Sequence, residues 1–286
     1  MRAVIYGGAV ANESEPLPSY SLSTRDAAGI ALASPWPPQL GREWAFEGST
    51  GAGVRVCVLD SGIDTGHPDV GAVERSMAVE ADDEGYAQVV EDDSGDAYGH
   101  GTACAGIIRS LAPDVTFTSV RVLGRDNRGS GGAMVAGLRW AVDQGFDVVN
   151  MSLSTTNREL RAFLYEVADS AYFQRTLVVA SAHNMQVKSW PWRFSSVISV
   201  GSHDDPDPMR FFYNPAPPVE FFARGMDVEI AWLGGGRITA GGNSFATAHM
   251  SGICALVLGK HPELTPFQVK SVLHLTAANV AAAQAA

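Results

Sequence analysis

Short apolar runs alternate with amphipathic segments along most of the chain, beginning near residue 54. Residues 54–59 are largely apolar and rich in valine, which is typical of a buried strand in a parallel sheet. Four later runs have the same character and predict further strands, at 115–122, 148–153, 177–182 and 197–200. Residues 80–98 are acidic and contain glycine, so we predict a loop there.

The segments between these runs show the period of helices. The clearest one places its apolar side chains on a single helical face, at Leu160, Phe163, Leu164, Val167, Ala168 and Ala171. Thr156 and Glu159 have the spacing of a capping box at its start. Further helices are predicted at 133–144, at 244–258 and from 265, where Thr265 and Gln268 form a second capping box.

Strands that alternate with helices indicate a parallel sheet with helices on both faces. The predicted fold class is therefore α/β, with a doubly wound and mainly parallel sheet. In such sheets, functional groups gather beyond the carboxyl ends of the strands. Asp60 and Asn184 each follow a predicted strand, so both lie where that rule places a site.

The length and composition agree with one large domain. The chain has 286 residues, of which 46% are hydrophobic, and this is enough for a sizeable core without disulfides or metals. Residues 1–40 are rich in proline, serine and alanine and have weak periodicity. We predict that they form a weakly structured or wrapping extension to a domain at 41–286.

Charge and cysteine content narrow the possible partners and location. The formal charge of −11 disfavours nucleic acid, because an acidic surface repels phosphates. No apolar run reaches the roughly 20 residues that span a bilayer, so we predict no membrane partner. The three cysteines, an odd and sparse set, favour a reducing compartment. The first residues make a poor secretory signal, and we expect a cytoplasmic location.

Three segments carry residue types that suit nucleophilic catalysis: 58–64 around Asp60, 99–106 around His100, and 242–249 around Ser244. A serine hydroxyl is a weak nucleophile at neutral pH, so a base must take its proton. Histidine suits that role, and a carboxylate must hold the imidazole in the right tautomer. Singly, these residues have ordinary explanations as a turn aspartate, a loop histidine and a helix cap. Together they predict a catalytic triad.

The three segments resemble the signature blocks of the subtilases, the subtilisin-like serine peptidases, whose triad follows the same chain order. The resemblance runs from about residue 44 to about residue 275. It implies a subtilisin-like fold and a serine endopeptidase that acts through an acyl-enzyme. It also implies that Asn184, together with the backbone N–H of Ser244, stabilises the developing oxyanion.

The resemblance further implies that a peptide or protein substrate binds in extended form, as an added strand. The cleft and the slot for the side chain before the cut bond would be formed by Gly129, Ser130, Gly131, Ser152, Leu153, Ser154, Ala182 and His183. Ser154 and His183 stand where the family usually has glycine, which predicts an altered slot. Asn243 stands where the family usually has threonine, and we expect the adjacent nucleophile to remain functional.

We predict no cofactor and no metal, because residues 106–113 are shorter than the calcium-binding loop of many subtilases. The acidic segment is most simply a solvated loop, and calcium binding and the attraction of basic substrates are the alternatives. Its carboxylates belong to Glu80, Asp82, Asp83, Glu84, Glu91, Asp92, Asp93 and Asp96. Cys104 lies one helical turn after His100 and matches a cysteine of some thiol-sensitive subtilases. We assign it no chemical role.

These features predict a selective intracellular processing endopeptidase, for example one that removes the leader from a precursor peptide. The altered slot, the short segment before the matching body and the short calcium loop favour this function. Two alternatives remain open. The first is a general intracellular degradative subtilase, and the second is a catalytically silent module that binds extended peptides.

Overall fold

The computed structural model describes residues 19–22, 29–30 and 36–285. Residues 39–286 make up one unit and residues 1–38 another. Most of the predicted extension at 1–40 therefore lies outside the described residues. None of the described helices has the length and apolar character needed to cross a membrane.

The second unit alternates strands and helices over its whole length. Its strands are β1 (Arg55–Asp60), β2 (Val73–Ala81), β3 (Ala87–Glu91), β4 (Thr116–Arg121), β5 (Val148–Met151), β6 (Leu177–Ser181), β7 (Ile198–His203), β8 (Phe211–Tyr213), β9 (Phe221–Arg224), β10 (Val228–Trp232) and β11 (Gly236–Ala240). Its helices are α1 (Arg42–Ala45), α2 (His100–Leu111), α3 (Gly131–Asp143), α4 (Arg161–Phe173), α5 (Asn243–Lys260), α6 (Pro266–Thr276) and α7 (Ala278–Ala285).

Nine of the strands form one sheet, in the order β3-β2-β4-β1-β5-β6-β7-β9-β8. Every neighbouring pair is parallel except β2–β3 and β8–β9, the antiparallel pairs at the two edges. The chain crosses from β4 on one side of β1 to β5 on the other, so the switch point lies at β1. The predicted α/β fold with a mainly parallel, doubly wound sheet is confirmed.

Helices cover both faces of this sheet. On one face, α3 and α4 pack their apolar residues, among them Leu138 and Leu164, against the strands. On the other face lie α2 and α5, which also pack against each other. The segment of α5 from Phe245 to Leu258 is buried without interruption. A helix that is enclosed on all sides needs small and apolar side chains throughout, which explains its composition.

Two sequence-based predictions need correction. Residues 80–98 are not a simple loop, because β2 and β3 pair as an antiparallel hairpin through much of this segment. This hairpin is an exposed sheet edge, where charged side chains are tolerated in strands. The capping box of Thr156 and Glu159 does not form. Instead, Asn157 Oδ1 accepts a hydrogen bond from the Glu159 N–H, ahead of a short 3₁₀ turn that leads into α4.

Candidate active site

Asp60 and His100 meet at the carboxyl end of the central strand. Asp60 is the last residue of β1, and His100 is the first residue of α2. His100 Nδ1 lies 2.8 Å from Asp60 Oδ1 and 3.0 Å from Oδ2. The Asp60 side chain is fully buried, and its Oδ1 also accepts the Ser61 N–H at 2.8 Å. The carboxylate is therefore held in place on two sides and faces the imidazole.

A pair of glycines lets these two elements approach closely. A Cβ at Gly101 would lie 2.0 Å from the carbonyl oxygen of Gly62, so only glycine fits at the start of α2. Gly62 itself has φ +105°, a conformation that L side chains rarely adopt. The sequence flanking Asp60 and His100 is thus set by backbone contact between the strand end and the helix.

A second carboxylate, Asp96, joins the same two segments, and we did not predict this role. Asp96 Oδ1 accepts the Ser61 hydroxyl at 2.7 Å and the N–H groups of Tyr98 and Gly99 at 2.9 and 2.7 Å. Its Oδ2 accepts the N–H and hydroxyl of Thr102 at 2.8 and 2.6 Å. In the sequence, Asp96 is one acid among several, and nothing there distinguishes a helix-anchoring carboxylate from a solvated one.

Ser244 is the second residue of α5 and opens into the same cleft as His100. Its hydroxyl donates to the Ser152 carbonyl at 3.3 Å, while the Ser152 hydroxyl donates to the Ser244 carbonyl at 3.2 Å. Among the described residues, no hydrogen bond joins the Ser244 hydroxyl to His100. The structure therefore places His100 and Ser244 in one cleft and the buried Asp60 against His100, while the serine hydroxyl is bonded to the Ser152 carbonyl.

A buried polar cluster supports the serine from below. Asn150 donates to the Ser152 hydroxyl at 3.2 Å and accepts the Ser251 hydroxyl at 3.0 Å. Cys104 lies beneath the site, as predicted, with its Sγ 3.4 Å from the Ser152 hydroxyl and 4.0 Å from Asp60 Oδ2. Burial, together with the Asp60 charge, raises the pKa of the Cys104 thiol well above 9.0, so the group stays neutral.

A cleft of about 760 Å³ contains the rest of the predicted site. All the residues predicted to contact the substrate line it, namely Gly129, Ser130, Gly131, Ser152, Leu153, Ser154, Ala182 and His183, together with Asn184. We did not predict the far wall, where Tyr98 and Trp232 pack edge to face with ring centroids 5.8 Å apart. Trp232 lies in the β10–β11 hairpin, a region in which the sequence pattern predicted no element.

The two residues at the altered slot are both held by neighbours. The Ser154 hydroxyl donates to the Ser189 hydroxyl at 3.1 Å, and Ser189 in turn accepts the Trp192 indole N–H at 2.8 Å. His183 Nδ1 accepts the backbone N–H of Met185 at 3.0 Å. In the neutral ring the proton therefore resides on Nε2, which is left as the donor of that side chain.

The charges around His100 favour its protonated form. Burial by itself lowers the pKa of His100, but the Asp60 carboxylate, by its charge and its hydrogen bond, and the charge of Asp96 outweigh that effect. The pKa of His100 is therefore raised above its ordinary value of 6.5. This is the electrostatic arrangement expected of a base whose cationic form has to be stabilised.

Four of the acidic side chains of residues 80–96 contact donors in the protein, namely Glu80, Asp82, Asp92 and Asp96. Asp82 accepts the N–H groups of Glu84 and Tyr86 at the hairpin turn, at 3.0 and 2.8 Å. Asp92 forms an ion pair with Arg121 at 2.7 Å. In the described parts of the chain, one group of three ligand-type side chains converges within 4.8 Å, and it consists of Asp60, His100 and Cys104.

Comparisons with known proteins agree with this geometry. A model of the subtilase family matches residues 51–286. Subtilisin DY from Bacillus licheniformis is 32% identical over 251 residues, which cover 82% of this chain and 87% of the relative. Subtilisin BL from Lederbergia lenta is 33% identical over 246 residues, covering 82% and 86%.

Solved structures extend the similarity to three dimensions. A cold-adapted subtilisin-like serine proteinase is 28% identical with a TM-score of 0.64, over 79% of this chain and 82% of that one. Sphericase is 26% identical with a TM-score of 0.67, over 79% and 84%. Fold, site geometry and relatives lead to the same conclusion: the chain belongs to the subtilase family and is a subtilisin-like serine endopeptidase.

Proposed function

We propose that Ser244 attacks the scissile carbonyl while His100 takes its proton and later returns it to the leaving amine. Asp60 orients the imidazole and stabilises the positive charge that it gains. Asn184 and the backbone N–H of Ser244 stabilise the oxyanion. Water then hydrolyses the acyl-enzyme on Ser244. The observation that carries this proposal is the 2.8 Å contact between the buried Asp60 carboxylate and His100 in the cleft that Ser244 also lines.

One movement is needed before the reaction. The Ser244 hydroxyl has to leave the Ser152 carbonyl and donate to His100 Nε2. Catalytic hydrogen bonds are often loose in the free enzyme and tighten when substrate binds. The hydrogen bond from the Ser244 hydroxyl to the Ser152 carbonyl is long, at 3.3 Å, so breaking it costs little free energy. This arrangement therefore suits the enzyme without substrate.

The pH dependence of activity tests the assignment of His100. His100 must be neutral to accept the proton of Ser244, and its pKa is raised above 6.5. Activity should therefore be lost as the pH falls through that raised pKa, so the acid limb of kcat/KM should have its midpoint above pH 6.5. Circular dichroism over the same range separates this titration from unfolding. A midpoint below 6 would contradict the proposed electrostatics.

At a finer level, we propose a selective intracellular processing enzyme, such as one that trims a leader from a precursor peptide. The support is the slot between residues 152–154 and 182–184. There, hydrogen bonds to Ser189 and to Met185 hold the polar side chains of Ser154 and His183. The Ser154 hydroxyl is already paired, so the donor left for the substrate is His183 Nε2. Leaving such a donor unpaired against an apolar side chain costs about 1–3 kcal/mol, so the slot disfavours large apolar side chains.

The cleavage profile tests this selectivity. On a peptide library read by mass spectrometry, we expect weak cleavage after Phe, Tyr and Leu, and preference for acidic, amide or small side chains before the cut bond. The double variant with Ser154→Gly and His183→Gly should gain cleavage after large apolar residues by about tenfold or more, since small changes in a slot alter discrimination by 10- to 200-fold. A wild-type profile dominated by Phe, Tyr and Leu would instead indicate a general degradative subtilase.

A further inference from the structure

Asn243 directly precedes Ser244, and its side-chain amide joins three parts of the chain. Its Oδ1 accepts the N–H and hydroxyl of Ser202 at 2.9 and 2.8 Å. Its Nδ2 donates to the Ala182 carbonyl at 3.0 Å and to the His183 carbonyl at 3.5 Å. Because two donors face the oxygen and two carbonyls face the nitrogen, the neighbours determine which way the amide points.

These contacts tie the nucleophile's helix to two neighbouring strands. Ser202 belongs to β7, and Ala182 comes directly after β6, its parallel neighbour in the sheet. Asn243 is the first residue of α5. The amide therefore sets the spacing between the start of α5 and the strand ends that carry residues 182–184. A threonine hydroxyl at this position has one donor hydrogen, so it could not donate to both the Ala182 and the His183 carbonyl.

The backbone of Asn243 also orients Asn184. The Asn243 N–H donates to Asn184 Oδ1 at 3.2 Å. Within the described residues, this is the one hydrogen bond that the exposed Asn184 carboxamide makes. With Oδ1 engaged at the start of α5, Nδ2 is left as a donor toward the cleft, which Asn184 lines.

We propose that Asn243 is a positioning residue for the oxyanion site: its side chain holds residues 182–184 against the start of α5, and its N–H turns the Asn184 amide so that Nδ2 faces the reacting carbonyl. This inference rests on the proposed role of Asn184. The site demands such support, because an oxyanion donor stabilises the transition state only when it is held at the right place before the reaction.

A double-mutant cycle tests the proposal, with Asn243→Ala, Asn184→Ala and both changes together assayed for kcat and KM. Asn184→Ala should lower kcat by about 100- to 1000-fold, a range known from subtilisin itself. Asn243→Ala should lower kcat by about 10- to 100-fold with little change in KM, since displacements of roughly 1 Å have effects of this size. The double variant should be hardly slower than Asn184→Ala alone, because Asn243 acts through Asn184.

Asn214 offers a matched control. Its amide also uses both ends on backbone groups, donating to the carbonyls of Ala216 and Val219 and accepting the Ala216 N–H. It does not line the cleft. Asn214→Ala should lower the melting temperature without altering kcat. If Asn243→Ala does not fold, Asn243→Thr in the same cycle provides the milder change.

Each outcome decides between the possibilities. If the losses of kcat from Asn184→Ala and Asn243→Ala multiply in the double variant, Asn243 is a structural residue and the inference fails while the oxyanion role of Asn184 stands. If Asn184→Ala has normal turnover, the oxyanion role fails and the inference fails with it. A loss from Asn243→Ala that disappears in the Asn184→Ala background supports the proposal.

Discussion

Replacement of Ser244 by alanine is expected to lower kcat by about 10⁶-fold, the magnitude known for loss of the nucleophile in subtilisin itself. In the proposed mechanism this hydroxyl forms the acyl-enzyme, and the adjacent Ser152 hydroxyl cannot take its place, since Ser152 is buried and donates to the Ser244 carbonyl. The fold should be unaffected, because the hydroxyl makes one hydrogen bond of 3.3 Å at the start of a helix. Turnover of a chromogenic peptide measures the effect.

Labelling with a fluorophosphonate gives an independent measurement. The wild-type protein should be labelled at Ser244, and Ser244→Ala should not be labelled. Ser271→Ala is the matched control. Ser271 is also a helical serine, and its hydroxyl donates to the backbone carbonyl of Phe267 at 2.9 Å. It should retain full activity and labelling. Failure of the folded wild-type protein to react with the probe would point to the catalytically silent binding module.

Replacement of Asp60 by asparagine is expected to lower kcat by roughly 10⁴-fold, the order known for the triad aspartate in subtilisin itself and in the chymotrypsin fold. The asparagine can keep the bond to the Ser61 N–H through its oxygen. Its N–H₂ group then stands at the Oδ2 position, 3.0 Å from His100 Nδ1. A donor there favours the ring tautomer with its proton on Nε2, which removes the base that faces Ser244. Loss of the carboxylate charge also removes the main influence that raises the pKa of His100.

Two readouts separate this loss of function from simple damage. The acid limb of the residual activity should move to lower pH, because the pKa of His100 falls once the Asp60 charge is gone. Asp64→Asn is the matched control, since Asp64 lies on the same segment and accepts the Gly66 N–H at 3.0 Å without touching His100. Its turnover should stay within a few-fold of wild type. A comparable loss in both variants would show that the segment, and not the triad carboxylate, was disturbed.

The local sequence pattern was sufficient to predict those elements in which buried positions are apolar and exposed positions are polar. The central strands were predictable because both faces of a parallel sheet are covered, so β1, β5 and β6 consist of apolar runs. The capping box of Thr265 and Gln268 was predictable because all its bonds lie within four residues, and it forms as expected. Extended motifs around Asp60, His100 and Ser244 indicated the chemistry before any geometry was known.

The segments at 211–240 carried no such signal. Their strands have three to five residues, and several are only partly buried, so no period emerges from the pattern. Pairing decides their structure: β9 lies between β7 and the edge strand β8, and β10 pairs with β11. The acidic hairpin of β2 and β3 is a similar case, because an edge strand is selected by its partner more than by its own hydrophobicity.

The sequence by itself determined the fold class and the family, and it predicted the three triad side chains, because burial and short motifs can be detected from neighbouring residues. Only the tertiary structure decided how those side chains are held. Asp96 reaches Ser61 across 35 positions, and Asn243 reaches Ala182 across 61. A hydrogen bond between residues so far apart depends on where the whole sheet places two strand ends, and no local pattern encodes that distance.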